Sequence, residues 1–383
     1  MSVSFWQADG DQPVHEVDFL VVGAGLVGCA AALFAANAGR HVTVTDARDL
    51  GLGASSRNAG FMITGLDSYY HRATERYGRA VVREMWGLSE TTHRHLHHVI
   101  DAAEGAVQRQ RCGSLLLAES EAEARDLEQA ARAMDADGID VQYHARDPLR
   151  RGFHAAIEQA RDAAVQPYEL TQALYQQGGA ELIANNEVWR MEAGEGEGVR
   201  VRSRRYTFEA RKVLVCTNAW SATLLPHLAR HIVPVRAQVL VTAPLRQGPL
   251  LNTCGYSDYG YMYYRDTFDG RLLLGGGRKQ NRWLEHNRLD ERISEPVQRT
   301  LEAWLRKRFP DVDAPVERRW AGIMGFSADG LPMVGRVPGL ANAGYAVAFN
   351  GHGLALGAGT AERAVDLLLQ DRHPGAVSAE RLF

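Results

Sequence analysis

The chain has 383 residues, with 43 Lys and Arg against 46 Asp and Glu, a formal net charge of −3 and 45% apolar side chains. This near-neutral balance excludes the electrostatic footprint of a nucleic-acid or anionic-membrane binder, and the length suffices for two domains or one elaborate one. Four cysteines, Cys29, Cys112, Cys216 and Cys254, lie far apart with no C-x-x-C, which argues against a zinc knuckle or disulfide framework and for a reducing compartment. The opening MSVSFWQADGDQPVHEV lacks the basic and apolar regions of a signal peptide, and no apolar run reaches spanning length, so a cytoplasmic protein with a short polar tail and no transmembrane segment is expected.

The first predicted elements are the most informative. Val17 to Val22 reads as a buried strand, and Gly23-Ala24-Gly25-Leu26-Val27-Gly28 follows it at once. An alanine-rich helix comes next, then a second strand from Val42 to Thr45 that runs into Asp46 and Ala47. This is a dinucleotide fingerprint in the context it requires. Gly23 makes the tight turn, Gly25 lets the backbone approach a pyrophosphate, and Gly28 lets helix pack on strand, with Leu26 opening the helix whose N-terminus faces the phosphates. Asp46 stands eighteen positions after Gly28, placed for a ribose hydroxyl, and no arginine directly follows it to favour a 2′-phosphate. This unit alone leaves NAD and FAD open.

The next stretch, GLGASSRNAGFM from 51 to 62, leans toward FAD. Its small residues permit close approach to a bulky flat cofactor. Ser55, Ser56, Arg57 and Asn58, with Ala59 and Gly60 after them, offer donors to phosphate and ring oxygens. Further on, THRHLHHVID sets His93 and His97 four apart on a predicted exposed helix; no catalytic-glutamate pattern accompanies them, so they read as a solvated face and no metal site is expected. SLLLA predicts a short strand, Glu121 to Asp137 an acidic helix, and EAGEGEGV a hairpin turn. From 223 to 317 the pattern alternates like strands, in IVPVRAQVLVTAPL, YGYMYYRD and GRLLLGGG, before a helix from Glu295 to Phe309. In YGYMYYRD, period-2 geometry puts Tyr259, Tyr261, Tyr263 and Arg265 on one face with Tyr264 opposite. Near the end, Tyr345 to Phe349 is a buried strand and Leu354 to Leu369 a helix, so Gly351-His352-Gly353 is a turn whose helix N–H groups suit something electron-rich.

Strand-GxGxxG-helix-strand-acid, followed by GASSRNAGF, resembles the D-amino-acid oxidase (DAO) superfamily of FAD-dependent amine and amino-acid oxidoreductases. AAVQPYELTQALYQQGGAELIANNEVWRME, RKVLVCTNAW, RRWAGIMGFSADGLPMVG and GYAVAFNGHGLALGAG are similar to the family's later segments, in the expected order. The resemblance implies an α/β fold: a discontinuous Rossmann-like FAD-binding domain over 14–92, 150–222 and 318–383, and a second, α+β substrate domain over 93–149 and 223–317 with a mixed or antiparallel sheet. It places the Val188 backbone at the adenine, Asn218 and Trp220 where a strand returns to the cofactor, and Gly322 and Met324 in a closing segment. Gly351, His352, Gly353 and Leu354 would meet the flavin's pyrimidine edge, where a helix N-terminus stabilises the negative charge of reduced flavin by roughly 1–2 kcal/mol. His352 either donates a hydrogen bond there or turns outward as a polar turn residue.

The same resemblance puts a tyrosine-bearing sheet over the flavin, with Tyr263, Tyr261, Arg265 and His352 as catalytic candidates. One departure bears on substrate. Members acting on amino acids commonly carry an arginine before the Ser/Thr-x-Asp-Gly turn to clamp a carboxylate, and Met324 stands there in AGIMGFSADG. Either the substrate is a small amine without an α-carboxylate, as in the γ-glutamylputrescine oxidase branch, or Arg57, Arg265 or Arg278 replaces the clamp. Glycine and sarcosine oxidase-like members, an amino-acid or 2-hydroxy-acid oxidase or dehydrogenase, and a non-catalytic flavin-binding component of a complex are the alternatives. The family's linking cysteine and histidine positions hold neither residue type, so FAD is expected to be noncovalent, with oxygen or a redox carrier as electron acceptor.

Overall fold

β1 (Val14–Val22), the helix α1 (Leu26–Asn37) and β2 (Val42–Thr45) form the predicted unit, with β1 and β2 parallel from Phe19 against Val42 to Val22 against Thr45. Alternation along β1 sends Phe19 and Val21 into one apolar cluster and Leu20 and Val22 into another, because both faces of this central strand are covered. Small residues let α1 approach the C-terminal helix Gly353–Gln370 closely: a Cβ on Gly357 would stand 2.9 Å from a Leu26 methyl. This computed structural model describes residues 12–383, so most of the expected polar tail lies outside the described residues.

Glu181–Ile183 extends the first sheet beyond β2, and Thr207–Val215 pairs in parallel with β1 on its other side, followed by Val199–Ser203 and Val188–Ala193. Leu340–Val347 also joins Thr207–Val215 in parallel and brings Met333–Val337 with it. The second sheet has eight strands in the order Val316–Ser327, Ile232–Thr242, Leu272–Gly276, Met262–Asp266, Cys254–Ser257, Ser114–Leu117, Ala156–Gln159 and Gln142–His144. Its pairings are antiparallel except for the parallel contact of Cys254–Ser257 with Ser114–Leu117, which makes it mixed. A third strip pairs Phe61–Met62 and Arg109–Gln110 with Ala163–Val165. Among the described residues no helix is long and apolar enough to cross a membrane.

Sheet membership divides the chain at other points than those expected. Position 92 falls inside the helix Arg79–Ala102, which packs on the C-terminal helix. Ala156–Gln159 and nearly all of Val316–Ser327, expected in the cofactor domain, belong to the second sheet. The latter strand is 12 residues long, enough to run beside Ile232–Thr242 and still hand the chain to the first sheet at Met333. The predicted solvated face of Arg79–Ala102 is also corrected. His93 is 7% exposed because it shares the helix's inner face with Met85, Ser89, Leu96 and Ile100. Burial pushes its imidazole down to about 4.

Candidate active site

One cavity of about 1010 Å³ is lined by the β1–α1 turn, by the Cys254–Asp266 hairpin of the second sheet and by the turn before the C-terminal helix. At the first of these, Gly23 has φ +111, a conformation L side chains rarely adopt. A Cβ on Gly28 would stand 1.8 Å from the Gly23 carbonyl oxygen, so only glycine lets α1 lie this close to the turn. On Gly25 a Cβ would stand 2.9 Å from Ser55 Oγ, the same hydroxyl that accepts from the Leu26 amide at 2.8 Å. Gly25 caps α1 without a side chain, leaving the helix's positive end to face a polyanion.

Asp46 accepts from the Ala24 amide with one carboxylate oxygen and from the Arg48 amide with the other, both at 2.8 Å; burial raises its pKa and these bonds oppose the rise. Asp46, Ala47, Val188 and Trp220 line the cavity. Asn218, at φ +46, lines it too and accepts from the Ala348 amide at 3.0 Å. Ala54–Arg57 form one helical turn that Asn58 closes, donating to the Ala54 and Ser55 carbonyls at 3.1 and 2.8 Å and accepting from the Gly60 amide at 2.8 Å. Ser55, Arg57, Asn58 and Ala59 line the cavity, whereas Ser56, Gly60 and Gly28 do not. A single helical turn cannot aim successive side chains one way. Gly60 instead packs on the chain, where a Cβ would stand 2.1 Å from the Val165 carbonyl oxygen.

At the opposite wall, Gly322, Met324 and Phe326 alternate along Val316–Ser327 onto the cavity, and Gly351, His352, Gly353 and Leu354 meet it from the last turn. His352 caps the C-terminal helix with its ring lining the cavity and Nδ1 at 3.3 Å from the Asn350 carbonyl oxygen. A carbonyl only accepts, so Nδ1 is the donor in this contact. The ring lines the cavity while its Nδ1 is engaged with the chain's own backbone. Tyr256 and Tyr263 are cross-strand partners with ring centres 5.9 Å apart, and Phe61 closes the group at 5.3 and 6.3 Å. Burial raises the pKa of both phenols and keeps them neutral donors. Tyr259 and Tyr261 line the cavity but precede the strand, which begins at Met262; Tyr259 sits in the turn at φ +55 and donates to Asp126 at 2.7 Å.

Arg265 is the main correction to the expected catalytic set. It is 4% exposed and does not line the cavity. Its Nε donates to the Ala59 carbonyl at 2.7 Å and its Nη2 to the Val165 carbonyl at 3.1 Å. It shares a strand face with Tyr263, but by Arg265 that face has passed from the cavity onto backbone, and the guanidinium ties the second sheet to the loop bearing Asn58. Arg57 is likewise engaged, by the Ala321 carbonyl and Glu291, each at 3.0 Å. Among the lining residues that escaped sequence reasoning are Asp67, Tyr256 and Phe326. Tyr256 had a signal, as the cross-strand neighbour of Tyr263; Asp67 follows Phe61–Met62 in irregular chain, where no period tells direction.

A profile of the DAO family, FAD dependent oxidoreductase, matches residues 18–367. The probable oxidoreductase OrdL of Rhizobium meliloti (strain 1021) is 25% identical over 367 residues, 89% of this chain and 80% of that protein. The gamma-glutamylputrescine oxidoreductase of Escherichia coli (strain K12) is 26% identical over 358 residues, 88% of this chain and 80% of that protein. The crystal structure of glycine oxidase from Geobacillus kaustophilus superposes with a TM-score of 0.80 at 22% identity, covering 94% of this chain and 96% of that one, a likeness of fold. The glycine-only turn and the helix end with no side-chain cap suit the pyrophosphate of FAD. Since the profile spans both the βαβ unit and the second sheet, the chain belongs to the DAO family along the whole length of its cavity and is an FAD-dependent oxidoreductase of the amine and amino-acid type.

Proposed function

We propose that this protein holds FAD noncovalently and oxidises the C–N bond of a small primary or secondary amine group, giving an imine that water hydrolyses. The observation that carries the reading is the continuity of one cavity from the dinucleotide turn to an aromatic wall, where the Tyr256 and His352 rings stand 6.5 Å apart. FAD, when bound, supplies the acceptor of the hydride equivalent. Gly23, Gly25 and Asp46 would hold its dinucleotide half, and Gly351, His352 and Gly353 its ring edge. Neutral Tyr256 and Tyr263 present donors and apolar ring faces that orient an uncharged amine and keep water away. The wall carries Met324 rather than a cysteine, and Arg57 and Asn58 rather than a histidine, which supports noncovalent FAD. Buried, unbridged Cys29, Cys216 and Cys254 support a reducing, cytoplasmic setting. Oxygen or a redox carrier is the final acceptor.

A second reading, with an amino acid as substrate, is favoured by Arg278, which lines the cavity without a hydrogen-bond or ion-pair partner among the described residues. Acid precipitation of the yellow protein should release FAD to the supernatant, and anaerobic titration with amines and amino acids should bleach the flavin. Flavin left in the pellet overturns noncovalent attachment. Bleaching by 2-hydroxy acids alone overturns C–N oxidation, and photoreduction without bleaching by any candidate substrate points to a non-catalytic component.

A further inference from the structure

Among the charged residues that line the cavity, Arg278 and Asp67 have no part in the chemistry above. Arg278 follows Leu272–Gly276, and its guanidinium lies over the rings of Tyr261 at 4.8 Å and Phe326 at 5.8 Å. The other two cations expected as substitutes for the missing clamp are engaged by Glu291 and by backbone carbonyls. Phe326, which the Arg278 guanidinium overlies, stands two residues after Met324 on the same strand, and both line the cavity. A guanidinium therefore enters from beyond the end of another strand of the same sheet, near the place where a thioether cannot hold an anion.

Asp67 lines the same cavity. It is exposed in the structure; the protein around it raises its carboxyl pKa, while His352, Arg278 and Arg76 pull the other way. Asp67 and Arg278 thus feel each other yet form no ion pair, which leaves both with unused hydrogen-bonding capacity. Close by in the chain, Leu66 and Tyr69 pack into an apolar cluster. The cavity continues along that cluster, where Val82, Trp86, Leu116, Ala130, Met134 and Ile157 form its wall.

We propose that Arg278, Asp67 and this apolar chamber select an amino acid with a bulky apolar side chain, its carboxylate on Arg278, its amine toward Asp67 and its side chain in the chamber. A planar guanidinium takes a carboxylate through two parallel N–H bonds, and stacking on two rings holds it in place beforehand. Asp67 repels a second carboxylate, and the chamber leaves a polar tail without partners, so acidic and long polar side chains are rejected.

This inference rests on the reading of a C–N oxidoreductase, and the test separates the two. FAD-loaded protein is titrated anaerobically with both enantiomers of phenylalanine, with phenethylamine, which lacks the carboxylate, and with alanine, which lacks the large side chain. Binding of 3-phenylpropionate, which lacks the amine, is followed by its perturbation of flavin absorbance. One enantiomer of phenylalanine should bleach the flavin at concentrations about tenfold or more below phenethylamine and alanine. Arg278→Met should weaken phenylalanine and 3-phenylpropionate alike by about tenfold, and Arg278→Lys should recover part of the loss, as a misfolded variant would not. Asp67→Asn should weaken phenylalanine and spare 3-phenylpropionate, and Ala130→Phe should weaken 3-phenylpropionate and spare acetate. Phenethylamine equal to phenylalanine, or a 3-phenylpropionate response that is absent or indifferent to Arg278→Met, overturns the inference and leaves C–N oxidation standing. If 3-phenylpropionate binds through Arg278 but nothing bleaches the flavin, the binding site stands and C–N oxidation falls.

Discussion

The two ends of the cavity are built on different principles. At the dinucleotide end the backbone shapes the site: Gly23 turns at φ +111, Gly28 admits no Cβ, and an α1 terminus with no side-chain cap faces the ligand. At the aromatic end side chains form the wall, and they come from separate places: Asp67 from a loop, Tyr256 and Tyr263 from a hairpin, Arg278 from beyond a strand, Phe326 from another strand. A site made of backbone restricts residue type at fixed spacing, and so leaves a motif. A site made of convergent side chains restricts only what meets in space.

Substitutions at the two ends should break differently. The largest effect is expected at Gly28→Val, whose side chain meets backbone; FAD content should fall below about a tenth of wild type, with loss of the cooperative thermal transition. Gly25→Val meets only the movable Ser55 hydroxyl, so it should lose FAD while far-ultraviolet circular dichroism stays native. Normal FAD content in Gly25→Val would contradict the backbone-built end.

Next in size is the contrast between two arginines. Arg265→Met removes two buried charge-assisted bonds to carbonyls and should cost about 4 kcal/mol in denaturant unfolding. Arg278→Met, with no such bonds to lose, should cost less than about 0.5 kcal/mol. Equal losses would erase the distinction between tie and ligand group.

The smallest expected effect lies between the two ends, in a polar knot within the core. Asp162 accepts from the Thr64 amide and hydroxyl at 3.0 and 2.9 Å and from Ser114 at 2.6 Å, and Thr64 Oγ1 lies 3.4 Å from His93 Nδ1. Burial pushes Asp162 up to about 7 and His93 down to about 4. Folded Asp162 holds a proton that the unfolded chain releases near 4, so its contribution is present below that pH and lost as pH rises toward 7. His93 behaves oppositely: the unfolded chain binds the proton below about 6.5, so its contribution is lost as pH falls toward 4. These slopes offset each other in the wild type. His93→Gln should unmask stability that declines from pH 4.5 to 6.5, and Asp162→Asn stability that rises over the same interval, by about 2 kcal/mol each in urea melts. Parallel profiles for the two variants would contradict the opposed pair.

The local patterns were legible where the chain's own geometry imposes them. The βαβ unit ends as expected at Thr45 although its first strand starts three residues earlier, at Val14, and the helices Glu121–Ala136 and Glu295–Arg308 fall within a residue of their predicted ends, because amphipathic period and turn residues act over one or two turns. Period-2 alternation also correctly set Tyr263 and Arg265 on one face and Tyr264 on the other, where it packs against Phe153 and Trp304. What lies opposite a face is another matter. For Arg265 it is the carbonyls of Ala59 and Val165, distant in sequence; for His93 it is Thr64, placed by the loop after Phe61–Met62. The sequence by itself determined the dinucleotide turn, the family and the run of strands and helices, since these depend on sterics between near neighbours. Only the tertiary structure decided which of three arginines lines the cavity with its guanidinium unpaired, that Asp67 joins it there, and that Ala156–Gln159 and Val316–Ser327 serve the second sheet, because each depends on contacts between segments far apart in the chain.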